Sequence, residues 1–134
     1  METKRIDLDS FIVKEEELDE NLLAQILDPY LGKIFPDGSV EYKDRFEKLN
    51  AARKVLIEML VKKAKVIKQI GGLKSEKISV EELTNKSNLG INKESIKKSF
   101  NRELKIIVRS DRDGEYYVPN YNLQKAKEYL EKKI

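Results

Sequence analysis

Apolar residues fall at helical spacing over residues 14–31, where Leu18, Leu22, Leu23, Ile26, Leu27 and Leu31 share one side. Glu15, Glu16, Glu17 and Glu20 crowd the start of that stretch, the end at which a helix favours negative charge. Pro29 predicts a kink or a stop there. Ahead of it, Ile6, Leu8, Phe11 and Val13 alternate only loosely, a pattern suited to a short strand or a docked arm. Over Lys33–Tyr42, Asp37-Gly38 separates two short apolar stretches, which predicts a two-stranded ribbon, with Pro36 limiting pairing on one side. From Asp44 to Ile70 the pattern is helical again and the apolar stripe is broad. Phe46, Leu49, Leu56, Leu60, Ala64 and Ile67 form its centre, widened by Val55, Met59, Val66 and Ile70. Such width predicts a central helix packed on more than one side. Gly71-Gly72 is expected to end it.

The pattern then shortens. Lys77–Val80 reads as extended, and Val80–Ser87 as a helix of two turns. Ser79 with Glu82 three residues on predicts a capping box. Asn88–Ile91 reads as a turn, in which Gly90 can take positive φ. Asn92 is placed to cap a second helix, Lys93–Arg102, whose Ile96 and Phe100 point inward, with Leu104 continuing that face. Lys105–Arg109 and Glu115–Val118 alternate as strands, joined by a turn at Asp113-Gly114 and closed by Pro119. Of Tyr116 and Tyr117, one is expected to pack inward and the other to stand exposed. Residues 122–134 read as a last helix capped by Asn122, with Leu123, Ala126, Tyr129, Leu130 and Ile134 on one side. That face is expected to pack on the chain itself or to form a homodimer. The fold class that follows is mainly α with a small β-ribbon (α+β). An N-terminal extension over 1–45 braces a core domain over 46–119, and 120–134 forms a C-terminal helix.

Composition narrows the chemistry. The chain of 134 residues has neither cysteine nor histidine, which removes disulfides, thiolate nucleophiles, Ser-His-Asp triads and His or Cys zinc sites. No phosphate loop, metal-ligand spacing or nucleophile–base pair occurs, so neither catalysis nor a cofactor is expected. Asp111, Asp113 and Glu115 lack the length and the downstream Glu of a calcium loop, so no metal is expected there. Without an apolar run of about 20 residues or a leader-like start, the chain is expected to be soluble and cytoplasmic, with no membrane partner. Charged residues make up 38%, rich in Lys and Glu, a balance like that of thermophile proteins. The net charge of +3 is unevenly spread: residues 1–40 hold ten acids and four bases, residues 41–134 fourteen acids and twenty-three bases. A basic body with an acidic N-terminal segment follows.

The order over 46–119 is long helix, short strand, helix, turn, helix, strand, turn, strand. With it, the stretch Ile78–Pro119 resembles the winged helix-turn-helix superfamily, in an archaeal-type form. The resemblance implies that Lys93–Arg102 is a recognition helix, that the hairpin after it is a wing, and that the partner is double-stranded DNA. Helix geometry is consistent with this. At about 100° per residue, Glu94, Lys98, Asn101, Arg102 and Lys105 lie opposite Ile96 and Phe100, flanked by Ser95 and Lys97. Lys and Arg donate to guanine, Asn pairs with adenine, and Ser and Lys hold phosphates. The candidate DNA-binding residues are therefore Ser95, Lys97, Lys98, Asn101, Arg102 and Lys105, with Arg109 and Arg112 in the wing. The expected function is a small transcriptional regulator or architectural protein. The alternative is a winged-helix subunit that docks on a protein partner in a transcription, replication or repair assembly, which the acidic Glu94 and Glu103 favour.

Overall fold

A computed structural model of the chain describes residues 19–85 and 89–132, together with Leu8. It is a mixed α+β structure, mainly helical, with two small antiparallel two-stranded sheets. Most of the expected elements are present among the described residues, but one strand is replaced by a turn and several boundaries move.

The first helix, α1, covers Glu20–Leu27 and not the whole of 14–31. The side chain of Asp19 accepts a hydrogen bond from the Leu22 amide at 2.9 Å and so fixes the start there. The Glu15–Glu17 run and Leu18 lie outside the described residues. Leu23, Ile26 and Leu27 face the core. Strands β1 (Leu31–Ile34) and β2 (Val40–Tyr42) form the expected ribbon, in the register Leu31 with Tyr42 and Ile34 with Val40. At its turn, Gly38 (φ 91°) sits where a Cβ would come within 3.4 Å of the Cα of Gly71 (φ 73°), so the ribbon tip docks on the loop after the central helix.

That central helix is broken. Asp44–Glu47 forms a single turn, α2, and the main helix α3 begins at Ala51 and runs to Ile67. Asn50 causes the interruption. Its backbone is extended and its side chain accepts from the Arg53 amide at 3.0 Å, a cap in the middle of the stretch expected to be continuous. Phe46 therefore packs from α2, stacked on Tyr42 with ring centroids 3.9 Å apart. The far end is set by Gln69, not by the Gly pair. Gln69 takes φ 55°, and the amides of Gln69 and Ile70 return to the carbonyls of Val66 and Lys65, which closes the last turn.

Helix α4 (Val80–Asn85) starts at Ser79, whose hydroxyl accepts from the Glu82 amide at 3.0 Å. The capping box is only half formed, because the Glu82 carboxylate turns to the buried Lys62 of α3 at 3.0 Å. Gly90 (φ 59°) makes the turn into α5, Lys93–Asn101, where Asn92 caps the Ser95 amide at 2.8 Å. Ile96, Phe100 and Leu104 are buried as the pattern implies. Residues 86–88 lie outside the described residues.

The strand expected over Lys105–Arg109 is not formed. The chain turns on itself instead, the amides of Leu104, Ile107 and Val108 returning to Ser99, Leu104 and Leu104. Leu104, Ile107 and Val108 then bury together at helical spacing and Ile106 is left out. Extended structure is confined to β3 (Arg109–Ser110) and β4 (Tyr116–Tyr117). Ile78 bridges Tyr116 from the other side, through two backbone hydrogen bonds of 2.9 and 2.7 Å, so the local strand order is Ile78, β4, β3. Both tyrosines are half-buried, not one in and one out. Tyr116 stacks on Phe100 at 3.9 Å, and Tyr117 lies under the Lys77 ammonium.

Asn122 does not cap the last helix. It is fully buried, and its amide donates to the Ile107 carbonyl at 2.7 Å, tying the turn after α5 to the C-terminal segment. A 3-10 turn over Asn120–Asn122 leads into α6, Leu123–Glu131. Leu123, Ala126 and Leu130 face inward in the same core as Leu23, Ile26 and Leu27 of α1. Of the apolar side expected to pack on the chain or form a dimer, Leu123, Ala126 and Leu130 are thus covered within the chain, Tyr129 is half-buried, and Ile134 lies outside the described residues. Among the described residues, no helix is long and apolar enough to cross a membrane.

Candidate nucleic-acid interface

The helix carrying most of the candidate residues is held by its own apolar side. Ile96 is fully buried, Phe100 nearly so, and Ser99 donates its hydroxyl to the Ser95 carbonyl at 2.9 Å. The packing of α5 on α3 and α4 fixes the rotation of the helix about its axis. Burying side chains of this size stabilises by about 1.5–3 kcal/mol each, so a roll of α5 that exposed them would be costly.

The opposite side is polar and open. Lys97, Lys98, Asn101, Arg102 and Lys105 are all exposed, while Ser95 is half-buried. Lys98, Arg102 and Lys105 follow one another at three- and four-residue spacing. The turn that replaces the expected strand carries the third on directly from the helix end, the Arg102 amide returning to Lys98 and the Lys105 amide to Arg102. Arg109 joins this row from β3: its Nη1 donates to the carbonyls of Val108 at 3.2 Å and Lys105 at 3.5 Å. Four of the candidate cations therefore form one ridge. None of Lys97, Lys98, Arg102, Lys105 and Arg109 forms an ion pair with another described residue. Glu94 and Glu103 are exposed on the same helix and its following turn, and they dilute the positive field.

Arg112 belongs elsewhere. It is exposed in the β3–β4 turn, among Asp111, Asp113 and Glu115, whose carboxylate oxygens lie within 4.8 Å of one another. Asp111 builds this turn: one oxygen accepts from the amides of Asp113 at 2.9 Å and Glu115 at 3.0 Å, and the other meets Lys77 at 3.1 Å. The Glu115 amide first, and then the Lys77 ammonium, hold the Asp111 carboxyl below the usual carboxylate range. Hydrogen bonding to Asp111 raises Lys77 in turn.

Periodicity missed three features. The first is the pair of buried lysines on α3. Lys62 donates to the Lys77 carbonyl at 2.6 Å as well as to Glu82, and Lys63 meets Glu76 at 2.9 Å and the Val118 carbonyl at 3.1 Å. These lysines join the central helix to both ends of the small sheet and to the start of α4. The second is a groove of about 450 Å³ beside the end of α5, bordered by Arg53, Glu103, Ile106, Lys125 and Tyr129. Arg53 is buried there, its guanidinium 4.6 Å from the Tyr129 ring centroid and bonded to the carbonyls of Tyr129 and Lys132. The third is Ile106 itself, 65% exposed on that border. The only signal in the sequence for it is an isoleucine out of phase with Leu104, Ile107 and Val108. No family model, curated protein or solved structure matches the chain.

Proposed function

We propose that the chain is a winged helix-turn-helix protein that binds double-stranded DNA, with α5 entering the major groove, as a small regulator or architectural protein. The observation that carries the reading is the ridge of Lys98, Arg102, Lys105 and Arg109, exposed and without an ion-pair partner among the described residues. It starts on a helix whose rotation is fixed by Ile96 and Phe100 and continues over the turn that follows. Two features support the fold part: the positive φ of Gly90 at the entry to α5, and the strand order Ile78, β4, β3. Asn101 beside Arg102 offers groups for reading adenine and guanine edges, and the lysines offer phosphate contacts.

Gel retardation of a duplex at two salt concentrations tests this. With four to five phosphate contacts, the logarithmic slope against salt should be about −4. Charge reversal at Lys98 and Arg102 together should abolish retardation while the thermal midpoint stays within a few degrees. A wild-type chain that retards no duplex at low salt removes the reading. The second reading, a protein-docking subunit, draws on Ile106 exposed beside a groove and on Glu94 and Glu103 next to the ridge. It predicts that Ile106→Asp abolishes a protein complex and leaves DNA retardation unaltered.

A further inference from the structure

Resting on that reading, we infer that the DNA backbone is tracked from α5 onto the turn Lys105–Arg109, and that the β3–β4 hairpin tip stays off the duplex. The turn is a continuation of the recognition face. The Lys105 amide returns to the Arg102 carbonyl, so Lys105 follows directly on the end of α5. The guanidinium of Arg109 is then drawn back to the same place by the carbonyls of Val108 and Lys105. Those carbonyls occupy one terminal nitrogen, and the other guanidinium N–H groups remain for a phosphate.

The two surfaces differ in sign. Lys97, Lys98, Arg102, Lys105 and Arg109 outweigh Glu94 and Glu103, for a net of +3. At the tip, Arg112 stands against Asp111, Asp113 and Glu115, for a net of −2, and Lys77 neutralises only one of these acids. Nor is the tip free to remodel itself for a phosphate, since Asp111 is bound to two amides of its own turn. A polyanion is attracted to the first surface and repelled by the second. Arg112 is accordingly not a DNA contact, whereas Arg109 is.

The test compares Arg109→Glu, Arg112→Glu and the double variant Asp113→Asn with Glu115→Gln, in which Asp111 is kept so that the turn persists. Retardation of one duplex is followed across a salt series, with thermal midpoints as the control for folding. The expected result is a loss of about tenfold or more for Arg109→Glu, with the salt slope lowered by about one. Arg112→Glu and the double variant should stay within about threefold of wild type, with the slope unchanged. A change beyond threefold in either tip variant, or none at Arg109, overturns the inference while DNA binding itself stands. Should the wild type fail to bind, the DNA reading falls, and this inference with it.

Discussion

The dipeptide Lys-Lys occurs in two helices, each time after a buried β-branched residue: Val61-Lys62-Lys63 in α3 and Ile96-Lys97-Lys98 in α5. The outcomes are opposite. Lys62 and Lys63 retain 8% and 4% of their side-chain exposure and meet Glu82 and Glu76. Lys97 and Lys98 are open to solvent and have no ion-pair partner among the described residues. Local sequence does not separate them. What does is whether another segment passes over that side of the helix. Residues 76–82 and the carbonyl of Val118 lie against α3, whereas no described hydrogen bond or ion pair reaches the side chains of Lys97 and Lys98 from another segment. A buried lysine must be paired, and these are. An exposed lysine without an ion-pair partner is available to another molecule's charge.

The comparison breaks most visibly at Lys63. Lys63→Met should cost about 2–4 kcal/mol in urea unfolding, because it leaves Glu76 and the Val118 carbonyl without their donor. Adding Glu76→Leu should recover a large part of that loss, since the charge left behind is then gone. If both variants unfold like wild type, the buried pair is not a fixed part of the structure. The α5 counterpart, Lys97→Ala with Lys98→Ala, should stay within about 0.5 kcal/mol of wild type in the same measurement. It should still weaken duplex retardation, with a salt slope lower by about two.

A smaller effect sharpens the electrostatic side. The carboxyl of Asp111 is depressed in the folded state, so its contribution to stability is present above the unfolded carboxylate value of about 4 and is lost as pH falls through the folded value. The gap in thermal midpoint between wild type and Asp111→Asn should therefore close on acidification below about pH 4. Lys77 is raised, so its contribution is present below about pH 10 and disappears as pH rises through the folded value. A gap that is flat across the acid range would mean that the carboxylate form of Asp111 does not matter. The smallest effect concerns Tyr42, which is bonded to the buried Glu58. Burial first, then the Glu58 charge, raises its phenol far above the ordinary tyrosine value. In spectrophotometric titration, Tyr42→Phe should leave the tyrosine ionisation seen before unfolding unchanged, because Tyr42 ionises only as the chain unfolds.

The sequence by itself determined the elements whose signals are local. Asn92 and Ser79 mark helix starts because their side chains reach an amide three residues on. Ile96, Phe100 and Leu104 are inward because a helix repeats at that interval. The exposed side of α5, and with it Lys97, Lys98, Asn101, Arg102 and Lys105, followed from the same repeat. Tertiary structure decided the rest. Lys105–Arg109 alternates like a strand, yet the chain turns, burying Leu104, Ile107 and Val108 together and leaving Ile106 out, with Asn122 holding the Ile107 carbonyl. Glu82 left its capping role because Lys62, twenty residues earlier, needed a counter-charge in the core. Asn122 reads as a cap by position, but the fold places it against the carbonyl of Ile107. Each of these depends on a partner distant in the chain, and a partner of that kind leaves no trace in the local spacing of residues.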